Sequence, residues 1–183
     1  MGGETDPTGP NLPGTSSDDP PATDRDLPLL REAIAVSKAS RSHGRHPFGA
    51  IVVDGAGKTI GSGENAVDPP DGDVTGHAEI VAIRDAWRRA GPGALAGATL
   101  YSSAEPCAMC SGAVYWSGIV RVVYALSEGG LLALTGSDPK NPTMSLPCRE
   151  VLARGQRRIA VAGPLIEDEA AAAHAGFWAR DRP

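Results

Sequence analysis

A histidine and a glutamate two positions apart, in His77-Ala78-Glu79, stand ahead of a cysteine pair, Cys107 and Cys110, that follows Pro106. Cys-x-x-Cys spacing puts two sulfurs on one helical turn, and one imidazole with two thiolates is a donor set suited to zinc. Three protein ligands leave one tetrahedral position open. A catalytic metal needs that vacancy, because a water bound there ionises near neutral pH. Glu79 lies close enough to His77 to reach such a water without ligating the metal, which suits a general acid–base. Taken alone, Cys-x-x-Cys also suits a redox pair or half of a structural zinc site. A redox pair leaves His77-Ala78-Glu79 without a role, and a structural site must recruit Cys148 or His174 from far along the chain.

The elements that must position these groups alternate between helix and strand. Apolar spacing predicts a first helix from residue 26 or 27 to about 40, with Asp26 as cap and Pro28 in the first turn. Residues 50–53 and 59–63 read as a hairpin about the turn at 54–58. A polar loop at 65–76 leads into a helix at 78–89 that starts at the histidine and stops at Gly91-Pro92-Gly93. A strand at 99–101 leads to a second short helix, 108–116, that starts at the first cysteine. A strand at 120–125 follows. Residues 129–147 show little regular pattern apart from the apolar run 131–134. A short helix at 149–154, a strand at 159–162 and a terminal helix at 167–180 complete the order. Such alternation makes a sheet covered by helices on both faces. Two helix starts that meet beside the sheet bring unpaired N–H groups and positive dipole ends to the thiolates.

Composition bounds the remaining possibilities. Residues 1–26 hold five prolines, four glycines and six acids against Arg25, too little apolar surface to repay ordering, so they read as a disordered tail before a domain at 27–183. On that reading, deleting residues 1–24 leaves fold and rate unchanged. The tail accounts for the whole formal charge of −5, leaving sixteen basic and sixteen acidic residues in a neutral body. Nucleic-acid binding through phosphates favours a basic face, so a nucleic-acid partner is not expected. The absence of a long apolar run excludes a membrane span, the N-terminus lacks the pattern of a signal peptide, and three cysteines suit a reducing cytoplasm.

His-x-Glu with Pro-Cys-x-x-Cys is the signature of zinc deaminases that act on cytosine C4 or adenine C6. The chain resembles the cytidine deaminase-like superfamily, in the branch of guanine deaminase, tRNA adenosine deaminase and fungal-type cytosine deaminase. The resemblance runs from about residue 29 to 178. It is carried by His46-Pro47-Phe48-Gly49-Ala50, Gly63-Glu64-Asn65, Gly76-His77-Ala78-Glu79-Ile80 and the run from Tyr101 through Pro106-Cys107-Ala108-Met109-Cys110 to Ala113. It implies an α/β fold, a three-layer α/β/α sandwich with a mixed five-stranded sheet, and a homodimer. It also implies Zn2+ on His77, Cys107 and Cys110, with Glu79 carrying protons between the attacking water, the ring nitrogen and the departing ammonia. Asn65, Phe48 and Ala78 would contact the base.

The choice of ring rests on fewer residues. Tyr115-Trp116 resembles the guanine deaminase branch, and Trp116 either covers a free bicyclic base or is an ordinary surface aromatic. Phe177-Trp178, at an alanine-rich end, covers the pocket, a second subunit or the domain's own core. Asp138 falls where guanine deaminases resemble one another in a second carboxylate on the ring, yet Asp before Pro139 is equally a plain turn. Leu146-Pro147-Cys148 departs from the guanine deaminase pattern and keeps nucleosides, pterins and triazines open. The expected substrate is a free purine-type base, guanine first, ahead of a tRNA adenosine and of a non-catalytic zinc-stabilised binding protein.

Overall fold

The computed structural model describes residues 19–67, 72–136 and 138–178. Helix α1 (Asp26–Ser42) precedes the hairpin β1 (Gly49–Val53) and β2 (Thr59–Glu64). Then come α2 (Ala78–Ala90), β3 (Thr99–Ala104), α3 (Ala108–Ser117), β4 (Arg121–Leu126), α4 (Glu128–Thr135), α5 (Cys148–Ala153), β5 (Ala160–Ala162) and α6 (Glu167–His174). The five strands form one mixed sheet in the order β2-β1-β3-β4-β5. The β1 pairings with β2 and β3 are antiparallel, and the β3–β4 and β4–β5 pairings are parallel.

Both faces of this sheet are covered, so its central strands read as near-continuous apolar runs. Alternate residues part to opposite cores. Ala50, Val52, Leu100, Val122 and Tyr124 pack with α2, α3 and α5, while Ile51, Val53, Tyr101, Val123 and Ala125 pack with α1, α4 and α6. The predicted three-layer α/β/α sandwich is the fold observed. No helix among the described residues is long and apolar enough to cross a membrane.

Glycine in β2 sets how closely α2 approaches. A Cβ on Gly63 would collide with the Ala78 carbonyl and the Ala82 nitrogen, and one on Gly61 with the Ala82 carbonyl and Ala86. The bare strand lets the start of α2 lie against the sheet, which places His77 and Glu79 beside the ends of β1 and β3.

Three sequence expectations need correction. Residues 128–135 form a helix where no regular pattern was expected; Ser127 caps it through a bond from Gly130 N–H to Ser127 Oγ at 3.1 Å. The terminal helix stops at His174 instead of reaching residue 180, and Gly176 at φ 68° turns the chain back. The ordered body also starts earlier than residue 27. Asp26 does not cap α1 but sits inside its first turn, 1 % exposed. Its carboxylate accepts from Tyr101 Oη (2.8 Å), from both Arg121 terminal nitrogens (2.6 and 2.9 Å) and from Thr23 N–H (2.6 Å). Asp19 pairs with Arg158 at 3.6 Å, and Ala22 packs on the core. Deletion through Asp24 therefore removes contacts that the domain uses. Residues 1–18 of the predicted tail lie outside the described residues.

Burial alone raises the Asp26 carboxyl, but the bonds from Arg121, Thr23 and Tyr101 outweigh it and hold it well below the usual carboxylate range. A depressed folded-state value contributes stability that is present above the unfolded value and is lost as pH falls toward the folded one. Asp26→Ala, which strands Arg121, should cost about 3–5 kcal/mol. In urea melts the deficit relative to wild type should be full at pH 7 and shrink below about pH 4. A deficit that does not vary with pH would exclude the ionised pair as its source.

Candidate active site

Both ligand-bearing turns are helix starts. His77 is the N-cap residue of α2 and Cys107 that of α3, both with extended backbone, and neither start is closed by a side-chain cap. The first-turn N–H groups thus remain available to anions and oxyanions. Because Cys107 is the cap and Cys110 lies one turn inside α3, both sulfurs face the same point. The chain carries this turn directly from the end of β3 through Glu105-Pro106, and Ser111 Oγ closes it by donating to the Pro106 carbonyl at 3.2 Å.

His77, Cys107 and Cys110 converge, with their ligand atoms all within 4.8 Å of one another. His77 Nδ1 lies 3.6 Å from Cys107 Sγ. A tetrahedral zinc with bonds of about 2.0 Å to nitrogen and about 2.3 Å to sulfur holds such donors about 3.6 Å apart, so the set fits the ion. Among the described residues no fourth His, Cys, Asp or Glu joins it. Cys148 is fully buried at the start of α5, where burial first, and then Glu105, push its thiol well above the usual range. The structural-site alternative, which needed Cys148 or His174, has no geometric support.

The three donors and Glu79 form one coupled group. The Cys110 thiol hydrogen-bonds Cys107 and, with His77, holds the Cys107 thiol down at about 4, while Cys110 is pushed well above its usual range. Glu79 is buried, its Oε1 accepting from Ser102 Oγ at 3.0 Å and its Oε2 from Cys110 Sγ at 3.5 Å. Burial pushes its carboxyl above the ordinary range. Burial that raises the carboxyl makes it a readier proton acceptor than an exposed glutamate, which suits a group that must take a proton and return it.

A cavity of about 300 Å³ opens onto this group. Of the residues expected to contact a base, Phe48, Asn65 and Ala78 line it. Asn65 Oδ1 accepts from Val67 N–H at 3.1 Å, which orients the side chain and leaves its amide nitrogen as a donor for a ligand. The other three are not on the wall. Trp116 is 85 % exposed on α3, edge-on to Tyr115, because the ring points away from the sheet. Asp138 is spent on its own turn, its Oδ1 accepting from Lys140 N–H at 2.9 Å. Trp178 is buried behind the cavity, its ring centroid 5.1 Å from His46 and 6.1 Å from Phe48, with Nε1 donating to His174 Nδ1 at 3.2 Å. It supports lining residues and takes no place among them.

Residue spacing did not single out several groups that do line the cavity: His46, Glu105, Met109, Glu128, Lys140 and Asn141. Glu105 and Met109 stand within the quoted cysteine motif, and His46 within the first one. Glu128 carries no local signal. Its carboxyl accepts no hydrogen bond from another described residue, and burial first, then Glu105, Cys107 and Glu79, push it up to about 7.

The model of the cytidine and deoxycytidylate deaminase zinc-binding region matches residues 23–126. A probable cytosine deaminase of Schizosaccharomyces pombe is 47% identical over 158 residues, 85% of this chain and 94% of that one. The structure of guanine deaminase from Nitrosomonas europaea superposes with a TM-score of 0.71 at 28% identity, covering 94% of each chain. A further structure, solved in complex with 2,6-diaminopurine, gives a TM-score of 0.72 at 27% identity over 91% of this chain and 87% of that one.

Metal analysis of purified protein should give one zinc per chain, unchanged in Glu79→Gln, which keeps all three donors. Turnover of that variant should drop by at least about 100-fold. Anomalous scattering that placed a fourth protein ligand on the ion would refute the open position.

Proposed function

Because the chain belongs to the cytidine and deoxycytidylate deaminase zinc-binding family, we propose that it acts on a free purine-type base, guanine first, replacing an exocyclic amine by a carbonyl. The chain is a zinc-binding hydrolytic deaminase by that membership. The substrate is read from the cavity. The observation that carries it is Glu128, a carboxyl on the cavity wall that accepts no hydrogen bond from another described residue. A half-buried acceptor gains when a ligand supplies donors. A guanine-type ring presents adjacent N–H groups on one edge that a carboxyl can accept together.

Bound to His77, Cys107 and Cys110, zinc supplies the Lewis acidity that brings water ionisation close to neutral pH. The protein's own groups do the rest. Asn65 donates its amide to a ring acceptor, and Phe48, held by His174 at 5.2 Å between ring centroids, packs against the ring. Glu79 takes the proton of the attacking water, delivers it to the ring nitrogen and assists the departing ammonia. Leu131, Met109 and Pro142 add apolar surface to the wall beside that transfer.

A second reading, cytosine, is favoured by the extent and identity of the match to the probable cytosine deaminase of Schizosaccharomyces pombe. A pyrimidine offers Glu128 fewer adjacent donors. An RNA substrate is disfavoured by the neutral body, where phosphate binding calls for basic side chains. We place the enzyme in a reducing cytoplasm, where Cys107 and Cys110 stay available to zinc. The exposed Trp116 suits a protein contact, and the homodimer implied by the resemblance is one way to cover it.

The test is kcat/KM for guanine, guanosine, adenine, cytosine and a tRNA anticodon stem-loop under one set of conditions. Guanine should lead, and Glu128→Gln should lower its kcat/KM more than that of cytosine. Faster turnover of the stem-loop than of every free base would overturn the assignment. A lead for cytosine would install the second reading.

A further inference from the structure

Glu105 sits between the end of β3 and the ligand turn Pro106-Cys107, and its own N–H donates to the Leu126 carbonyl at the end of β4 (2.8 Å). Its side chain has two partners far apart in sequence. Oε2 accepts from Glu128 N–H at 3.1 Å, and Oε1 accepts from Cys148 N–H at 2.9 Å. Glu128 is the first residue of α4 and Cys148 the first of α5, so one carboxylate satisfies a first-turn donor of each helix. The chain between these two points, residues 128–148, supplies Glu128, Leu131, Lys140, Asn141, Pro142 and Met144 to the cavity wall. Both ends of that covering segment are therefore tied to one side chain, two residues from a metal ligand.

We propose that Glu105 is a positioning residue: its paired bonds to the Glu128 and Cys148 amides fix the covering segment 128–148 at a set distance from the Cys107 turn. The proposal rests on the reading of the cavity as the ring site. It ties the gap between metal site and wall to one carboxylate, in addition to the packing of Leu131 and Cys148 in the two cores. Ser127, next to Glu128, is held separately, its N–H and Oγ both donating to Glu167 Oε1 at 2.9 and 2.6 Å. Arg149, next to Cys148, donates to Tyr124 Oη, the Val161 carbonyl and the Gly163 carbonyl. These anchors keep α4 and α5 on the body when the carboxylate is changed. What is lost is the alignment of the wall with the ligand turn.

Glu105→Gln is the informative variant. Its single amide oxygen can accept from one amide, while its NH2 faces the other as a second donor. Glu105→Asp keeps the charge but is one methylene too short to reach both. Zinc should stay at one per chain in both variants. Amide exchange at Glu128, Cys148 and residues 140–144 should quicken by about tenfold or more, with α2 and α3 unchanged. In kinetics with guanine and cytosine, KM should rise about 10-fold or more. Asn141→Ala should raise KM when Glu105 is present and add little to Glu105→Gln, since the wall is already displaced. Loss of zinc, or unchanged exchange at both amides, would overturn the proposal. An Asn141→Ala effect that persists in full beside Glu105→Gln would overturn the clamp alone. No effect of Asn141→Ala in either background would overturn the cavity as the ring site and the clamp with it.

Discussion

The active site depends on two helix starts that meet uncapped. His77 and Cys107 occupy positions where a Ser, Asp or Thr would ordinarily satisfy the first-turn N–H groups, and neither does so. The donors left over give the region a positive character before any metal is bound, which offsets part of the cost of gathering two thiolates and a carboxyl in one buried place. The meeting is possible because β2 gives up side chains where α2 crosses it. With bare backbone at Gly61 and Gly63, the helix rests on the strand itself, and its start is carried in to the ligand turn at the end of β3. A methyl group at Gly63 would push against Ala78, the residue between His77 and Glu79.

The ligand set was legible in the sequence because each half is local. His77 to Glu79 and Cys107 to Cys110 lie within one turn, so residue type and spacing alone predict their orientation. The sheet was legible for a similar reason, since a strand buried on both faces must be apolar at every position. Cavity walls built from distant segments were not. Residues 128–135 carry Gly129 and Gly130 in their first turn, which weakens the helical signal, and Ser127 and Glu105 restore it only through contacts visible in three dimensions. Asp138 sits in the right segment, but its carboxylate turns back on Lys140, and the wall is formed by the residues after it. Local pattern makes Asp26 a helix cap at the edge of an acidic tail, whereas its partners Tyr101 and Arg121 lie on β3 and β4, where no local pattern shows them.

The C-terminal aromatics show how a residue shapes a cavity without lining it. His174 is 2 % exposed, its ring is held down at about 4 by burial first, and it stacks with Trp178 at an interplanar angle of 15°. Phe177 and Trp178 both pack against His46, and Trp178 against Phe48. A neutral, buried imidazole accepting from the indole N–H satisfies the one polar atom that Trp178 would otherwise bury unpaired. Phe177 and Trp178 thus form a plug behind Phe48. Alanines at Ala170 and Ala173 let α6 approach closely enough to deliver it.

Electrostatics narrows the substrate from another direction. Zinc held by two thiolates would have its charge balanced by them, which leaves Glu79, Glu105 and Glu128 around the cavity with Lys140 as the only Lys or Arg among the described residues of its wall. A phosphate brought into such a space meets carboxylates in place of the arginines and lysines that normally neutralise it, and the low dielectric of a partly closed cavity magnifies that repulsion. Burial first, and then the crowding of Glu105, Cys107 and Glu79, pushes the Glu128 carboxyl up to about 7. A neutral ring that brings N–H donors relieves the crowding, whereas a nucleotide adds to it. The carboxylates that order the wall are thus one ground for proposing a free base over a phosphorylated ligand.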